Sequence, residues 1–209
     1  IQKSAAHRVL LDADVIAAAA AAHDAARAAE IAATAADRAT QAAWRAERVA
    51  KITAFEAAEK KFLDNKKNQA EKLLVDYTTE HPSGANNVAA HFYLGEIYFE
   101  ESNWPKAVAA YEKVIDSDNE YTEKALVRSA MALVNDDKKA NAIPIWQRLE
   151  TGANFKENKR YAEFNLMKAY YEAGNYTQSV AQSEKVLSLS NVSAKVKWDA
   201  YDMLAHSSL

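Results

Sequence analysis

The stretch LGEIYFEESNWPKAVAAYEKVI, residues 94–115, decides the fold. Its large apolar residues fall three, four and seven apart, the phase breaks at SNW, and the same spacing then resumes. This spacing predicts an amphipathic helix, a tight turn and a second helix. A second copy, LMKAYYEAGNYTQSVAQSEKVL, follows at residues 166–187 and breaks at GNY. We therefore predict a helical hairpin that is used repeatedly.

The residues at the breaks explain why the first helix ends there. We expect Asn103, Gly174 and Asn175 to adopt left-handed backbone angles, which Gly and Asn tolerate better than other residues. Weaker copies of the spacing occur at residues 54–82 and 122–150. In the latter copy we expect Pro144 within about the first turn of the second helix, where a missing N–H costs little.

These units resemble the tetratricopeptide repeat family, which has Leu-Gly and Tyr in its first helix, Gly-x-Tyr at the turn, and Ala and an aromatic residue in its second helix. The matching residues of one unit are Leu94, Gly95, Tyr98, Trp104, Ala107, Tyr111 and Val114. The resemblance covers about residues 51–209 and implies an all-α fold, a right-handed α-α superhelix. Its phasing is similar to that of arrays in large bacterial proteins of this family, including cell-envelope ones.

The end of the chain extends the array. Residues 200–209, AYDMLAHSSL, align with residues 90–99, AHFYLGEIYF. Residues 51–209 are therefore predicted to hold about four units and the first helix of a fifth. Because a solenoid helix without its partner exposes its apolar face, we expect either a continuation of the array or a partner at this end.

Residues 1–50 have a different composition. Ala dominates, Arg outnumbers Lys, and Asn, Gly, Pro, Tyr and Phe are absent. From Ala18 to Ala50, alanines alternate four and three apart, and Leu11 and Val15 extend this heptad seam backwards. We predict a separate Ala-rich segment: one long helix, or a helical hairpin broken near Asp37–Thr40, packed closely on another helix. Two explanations fit the difference in composition between residues 1–50 and 51–209. One is a low-complexity helix beside a globular array, and the other is a fusion of segments from two sources.

The bulk properties exclude several classes of protein. The chain has 26 basic and 29 acidic residues and a net charge of −3, so we expect no nucleic-acid partner, which would need a basic face. The longest apolar run, VIAAAAAA, is too short to cross a bilayer, so we expect no membrane insertion. The expected location is soluble, in the bacterial cytoplasm or in the periplasm and cell envelope.

The side chains that carry chemistry form no recognisable motif. The five histidines are scattered, cysteine is absent, and no HExxH, phosphate loop or serine elbow occurs. The stretch DSDNE at residues 116–120 lacks the Gly and the Glu that a calcium loop needs at its sixth and twelfth positions. We therefore expect no enzyme, no metal site and no cofactor.

The resemblance implies that the first helix of each unit lines a concave face. The residues predicted to contact a partner there are Phe92, Tyr93, Glu96, Phe99, Arg128, Met131, Asn165, Lys168 and Tyr171. An aromatic face with mixed charges suits an extended peptide or an amphipathic helix. The alternative for Phe92, Phe99 and Phe164 is that they fill the space between units.

Two functions follow from these predictions. The first is a non-enzymatic scaffold that binds a peptide or protein partner on the concave face. The second is a structural or oligomerising component of a larger assembly, such as one in the cell envelope, with self-association through residues 1–50.

Overall fold

The computed structural model describes the backbone of residues 2–207 and the side chains of residues 15–207. The described residues form nine α-helices and no strand: α1 Gln2–Leu63, α2 Lys67–Glu80, α3 Asn87–Glu100, α4 Trp104–Ile115, α5 Thr122–Asn135, α6 Lys139–Gly152, α7 Lys156–Glu172, α8 Tyr176–Ser188 and α9 Ala194–Ser207. The all-α prediction is confirmed. Its physical basis is the scarcity of helix breakers, with 4 Gly and 3 Pro in the whole chain.

The chain divides into two compact units, residues 1–50 and residues 51–209. In the first unit the helix is continuous, so the predicted alternative of a hairpin broken near Asp37–Thr40 is wrong. Within it, the hydroxyl of Thr40 donates a hydrogen bond to the carbonyl of Ala36 one turn earlier, the usual arrangement of a threonine in mid-helix. Every described side chain from Val15 to Ala50 is exposed, the alanine seam included. Leu11 lies outside the described side chains.

In the second unit, consecutive helices pack against one another as hairpins. We call the end of α1 (residues 51–63), α3, α5, α7 and α9 the A helices, and α2, α4, α6 and α8 the B helices. The first hairpin closes through Phe55 and Tyr77, whose ring centroids lie 5.6 Å apart. Four A–B hairpins are followed by α9, which packs on α8 and α7. Residues 208–209, the end of the predicted fifth unit, lie outside the described range.

The same turn joins the two helices of each hairpin. Its central residue has a left-handed φ in all four cases: Asn65 (57°), Ser102 (59°), Asp137 (56°) and Gly174 (75°). The next N–H then reaches back to a carbonyl of the preceding helix, as from Asn103 to Tyr98 at 2.8 Å. This is the hydrogen-bond pattern of a Schellman ending.

Three local predictions need correction or confirmation here. Gly174 is left-handed as predicted, but Asn103 and Asn175 have φ of −86° and −85° and precede the first residue of the following helix. The left-handed residue in the second hairpin is Ser102 instead. Pro144 lies inside α6, beyond the first turn where it was predicted.

Residues of complementary size face each other within the hairpins. A Cβ atom on Gly95 would lie 2.5 Å from Cε1 of Tyr111, and Tyr111 is fully buried. The equivalent pairs in the other units are Ala58 with Leu74, Ala130 with Trp146, and Met167 with Ser183, all buried. A large residue on one helix thus faces a small one on the other, which keeps the distance between A and B helices similar.

A fully buried alanine sets a common register for the A helices. Ala90, Ala125, Ala162 and Ala200 are each 0% exposed and occupy the same place in α3, α5, α7 and α9. Residues at the same distance in sequence from this alanine therefore occupy equivalent positions in different units.

Candidate partner-binding face

The nine predicted partner-binding residues lie on α3, α5 and α7, and we call them together the A-helix face. Contacts link the three helices along this face. Arg128 of α5 lies with its guanidinium 4.7 Å from the ring centroid of Phe99 on α3. Met131 of α5 and Asn165 of α7 line one small cavity. Neighbouring members of the set are therefore brought together by the packing of successive A helices.

Glu96 lies in the core of the array instead of on its surface. It is 8% exposed and accepts a hydrogen bond of 2.7 Å from the hydroxyl of Tyr111. Lys124 Nζ at 2.9 Å and Arg128 Nε at 3.3 Å complete its environment. Burial, with the nearby Glu96 carboxylate, raises the pKa of Tyr111 well above its ordinary value. The Glu96 carboxylate is therefore paired within the α3–α5 junction and has little surface left for a partner.

Phe92 is also a packing residue. It is 4% exposed, and its ring stacks on that of Tyr121 with centroids 4.7 Å apart. Lys124 Nζ lies 4.9 Å from the same ring. Phe92 therefore fills the space between units, which was the alternative to partner contact.

The other seven residues of the A-helix face are partly exposed: Tyr93, Phe99, Arg128, Met131, Asn165, Lys168 and Tyr171. Several are held in place by neighbours. The Tyr93 hydroxyl donates to Glu59 Oε1 at 2.7 Å, and burial raises its pKa. Lys168 Nζ lies 3.0 Å from Asp199 Oδ2 of α9 and 4.4 Å from the ring centroid of Phe164. These contacts fix the orientation of side chains that still present surface to solvent.

A B-helix residue reaches the face where sequence reasoning did not expect one. Trp146 of α6 lines a cavity of about 80 Å³ together with Met131, Val134, Asn135, Tyr161 and Asn165. Its ring meets Tyr161 edge to face at 5.4 Å. The small residue Ala130 on α5 indicates that a large side chain faces it from α6. It gives no indication that this side chain, Trp146, also contacts Tyr161 of the next unit.

The described residues include no group of three His, Cys, Asp or Glu side chains arranged to hold a metal ion. Nor does any helix in the described part of the chain have the length and apolar character needed to cross a membrane.

Comparison with known proteins agrees with the geometry of the hairpins. Residues 89–118, which span most of α3 and all of α4, match the family model of the tetratricopeptide repeat. The match covers one helical hairpin of the array. The confirmed fold class is an all-α array of helical hairpins preceded by a long Ala-rich helix.

Two solved structures are similar to part of this chain. Both are chains of nearly identical TPR-like repeats from a kinesin light chain candidate of Podosopora anserina, and the second is a single-substitution variant of the first. Each is 14% identical to this chain and covers 74% of it, and the match covers 83% of the other chain. The TM-scores are 0.49 for the first and 0.50 for the variant. At this identity the likeness concerns the fold alone.

Proposed function

We propose that this protein is a non-enzymatic interaction scaffold whose tetratricopeptide array binds an extended segment of a partner protein along the A-helix face. The observation that carries the proposal is the row of seven partly exposed residues on α3, α5 and α7, which combines aromatic, cationic, thioether and amide side chains. Tyrosine, arginine and methionine are enriched where proteins bind one another. Arrays of this family generally act as scaffolds without catalysing reactions.

The contacts within the row support an extended ligand over a compact one. Phe99 and Arg128 are held together at one end by the cation–π contact between α3 and α5. Tyr171 lies at the other end, where its ring meets that of Tyr176 at 5.8 Å. Between them, Asn165 uses its amide N–H on the carbonyl of Tyr161, which fixes the side chain and leaves its amide oxygen as an acceptor. A segment spanning three A helices would meet all three regions.

The experiment selects peptides from a random display library on the full chain and measures the affinity of synthetic copies by calorimetry. Tyr171→Ala and Met131→Glu should each weaken binding at least tenfold, which corresponds to about 1.4 kcal/mol. The matched control is Tyr201→Ala, since Tyr201 is 61% exposed on α9 and lies outside the A-helix face. Peptides that bind all three variants equally well would place the binding surface elsewhere, and a selection without enrichment would contradict the proposal.

A second function is supported by residues 15–50, namely self-association through the alanine seam. The seam is exposed along its whole described length, and small residues permit a close approach of two helices. Ala32→Glu combined with Ala36→Glu should lower the molar mass of the full chain measured by light scattering, whereas Thr34→Glu on the opposite face should not. A monomeric wild-type chain at high concentration would rule this function out.

A further inference from the structure

Two junctions between A helices have a phenylalanine at the same position, and only the α3–α5 junction pairs it with a second ring. The α5–α7 junction has Val127 and Asn158 at the two positions. At the α3–α5 junction, the residue two after the buried alanine is Phe92, and the residue four before the next buried alanine is Tyr121. Their rings stack with centroids 4.7 Å apart and planes 27° apart. At the α7–α9 junction the same two positions hold Phe164 and Val196. The second ring of the pair is therefore replaced by a much smaller side chain.

Phe164 and Val196 both line one cavity. It has a volume of about 310 Å³, is partly open to solvent, and is lined mainly by apolar atoms. Its lining includes Tyr161, Phe164, Val186, Leu189, Val192 and Val196. This is about twice the roughly 150 Å³ of an apolar cavity that admits benzene, so an aromatic ring fits by volume.

Phe164 shares one further feature with Phe92, a lysine ammonium near its ring. Lys168 Nζ, from the same helix, lies 4.4 Å from the ring centroid of Phe164, and Lys124 Nζ, from the next A helix, lies 4.9 Å from that of Phe92. Phe92 is 4% exposed, whereas Phe164 is partly exposed. Within residues 15–207, no aromatic ring is found stacked on Phe164. The site therefore has an aromatic ring and a nearby cation, as the α3–α5 junction has, and lacks a second ring stacked on the first.

The rim of the cavity favours a neutral group. Glu157 and Arg160 bring one charge of each sign, and the guanidinium of Arg160 also donates to the carbonyl of Ser190 at 3.3 Å. Phe164 connects the cavity to the A-helix face, because Lys168 of that face lies over its ring. A segment bound along the face could therefore direct one uncharged side chain into the cavity.

We infer that this cavity binds a phenylalanine or tyrosine side chain of a partner protein, stacked on Phe164 in the place that Tyr121 occupies beside Phe92. The inference rests on the proposed function, since it names the residue by which a segment on the A-helix face is anchored. Aromatic pairs of this geometry are among the favourable contacts that proteins make beyond the burial of apolar area.

The test uses N-acetyl-4-fluoro-L-phenylalaninamide as the probe and follows its ¹⁹F signal during titration with the full chain. We expect saturable line broadening in the wild-type protein. Val196→Tyr supplies the missing ring from the chain itself, so it should abolish probe binding and raise Tm. The matched control Val75→Tyr, at a valine that is 40% exposed on α2, should leave both unchanged. Circular dichroism checks that each variant is folded. If Val196→Tyr does not fold, Phe164→Leu serves as the second variant and should weaken probe binding at least fivefold.

Several results would overturn the inference. One is an absence of saturable binding to the wild-type chain. Others are equal binding of N-acetyl-L-leucinamide, which would show an unspecific apolar cavity, and tighter binding of free tyrosine, which would show a small-molecule site. Binding that persists in both Val196→Tyr and Phe164→Leu would place the probe elsewhere. If display-selected peptides still depend on Tyr171 while the probe fails, the anchor is wrong and the proposed function stands.

Discussion

Glu96 and Lys124 form an ion pair of 2.9 Å between α3 and α5, and the equivalent residues of α7 and α9 form the same pair with the charges exchanged. There Lys168 Nζ lies 3.0 Å from Asp199 Oδ2. In both cases the first residue follows the buried alanine of its helix by six positions and the second directly precedes the next one. At the α5–α7 junction the two positions hold Met131 and Tyr161, which line one cavity.

Exchange of charge at the α7–α9 junction should therefore be tolerated only when both residues change. Lys168→Asp and Asp199→Lys should each destabilise the protein by about 0.5–1 kcal/mol, because each places like charges together at a partly exposed site. The double variant should recover most of this loss. Urea denaturation measures the effect, with Lys195→Asp on the exposed side of α9 as control. Additive losses in the double variant would show that the pair does not contribute.

Gly95→Ala should destabilise the protein although alanine favours helices by about 1 kcal/mol over glycine. The new Cβ would lie 2.5 Å from Cε1 of the fully buried Tyr111, so the ring must move. Overpacking of this kind costs about 1–3 kcal/mol. Gly152→Ala is the matched control, because a Cβ there meets nothing within 4 Å and should leave Tm unchanged or raise it. Similar melting curves for the two variants would contradict the packing argument.

Glu123 connects α5 to the residues at the start of α7. Its carboxylate accepts hydrogen bonds from the backbone N–H groups of Asn154 at 2.9 Å and Phe155 at 3.1 Å, and from the amide of Asn158 at 2.7 Å. Partial burial acts to raise the pKa of Glu123, but these hydrogen bonds outweigh it and hold the pKa below the ordinary value of 4.5.

The depressed pKa fixes the sign of a pH dependence. The contribution of Glu123 is fully present above its ordinary pKa and is lost as the pH falls through the lower pKa of the folded state. Glu123→Gln should therefore cost about 1–3 kcal/mol at pH 7 and progressively less below pH 4.5. Thermal melts from pH 7 to about pH 3 measure this, with exposed Glu157→Gln as control. A constant difference across that range would show that the charge is not involved.

Lys185 of α8 neutralises a buried carboxylate of α7. Its Nζ lies 2.7 Å from Glu150 Oε1 and 3.5 Å from Glu163 Oε1, and Glu163 is 3% exposed. Burial lowers the pKa of Lys185, but the hydrogen bond and attraction to Glu150 outweigh it and raise the pKa above 10.5. The stabilisation is thus present below pH 10.5 and lost as the pH rises through the higher pKa of the folded state.

Removal of Lys185 should lower the stability of the protein as long as Glu163 remains charged. Lys185→Met should destabilise the protein by about 1–3 kcal/mol at pH 7, because the Glu163 carboxylate is left without its cation. Adding Glu163→Gln should recover part of the loss, since no buried charge then remains. Guanidinium titrations at pH 7 measure both variants. A double variant less stable than Lys185→Met alone would contradict this account.

The sequence was sufficient to predict the hairpins because their determinants are local. The spacing of apolar residues, the scarcity of helix breakers and the resemblance of single units to a repeat family all act within about 30 residues. The left-handed residue of the second turn was not predicted. It is Ser102 and not Asn103, so the turn begins one residue earlier than the residue types indicated. A serine there is a choice that residue preferences alone do not favour.

The surroundings of the candidate face could not be predicted from the sequence, and Glu96 shows why. Glu96 and its equivalent Lys168 are each paired with a residue of the next A helix. Likewise Phe92 is buried because Tyr121 stacks on it, whereas Phe164 borders a cavity because Val196 takes that place. Whether a side chain is a contact or a core residue depends on its neighbour in the following unit.

The sequence by itself therefore determined the helices, the hairpins and their repetition, because periodicity, turn residues and facing sizes are set within one unit. The tertiary structure decided which A-helix residues are buried, which stay partly exposed, and where a cavity lies beside Phe164. These properties depend on the register of successive units, in which side chains about 30 positions apart in sequence pack directly on one another. The register is set by many weak packing contacts acting together, so it cannot be predicted from any single stretch of sequence.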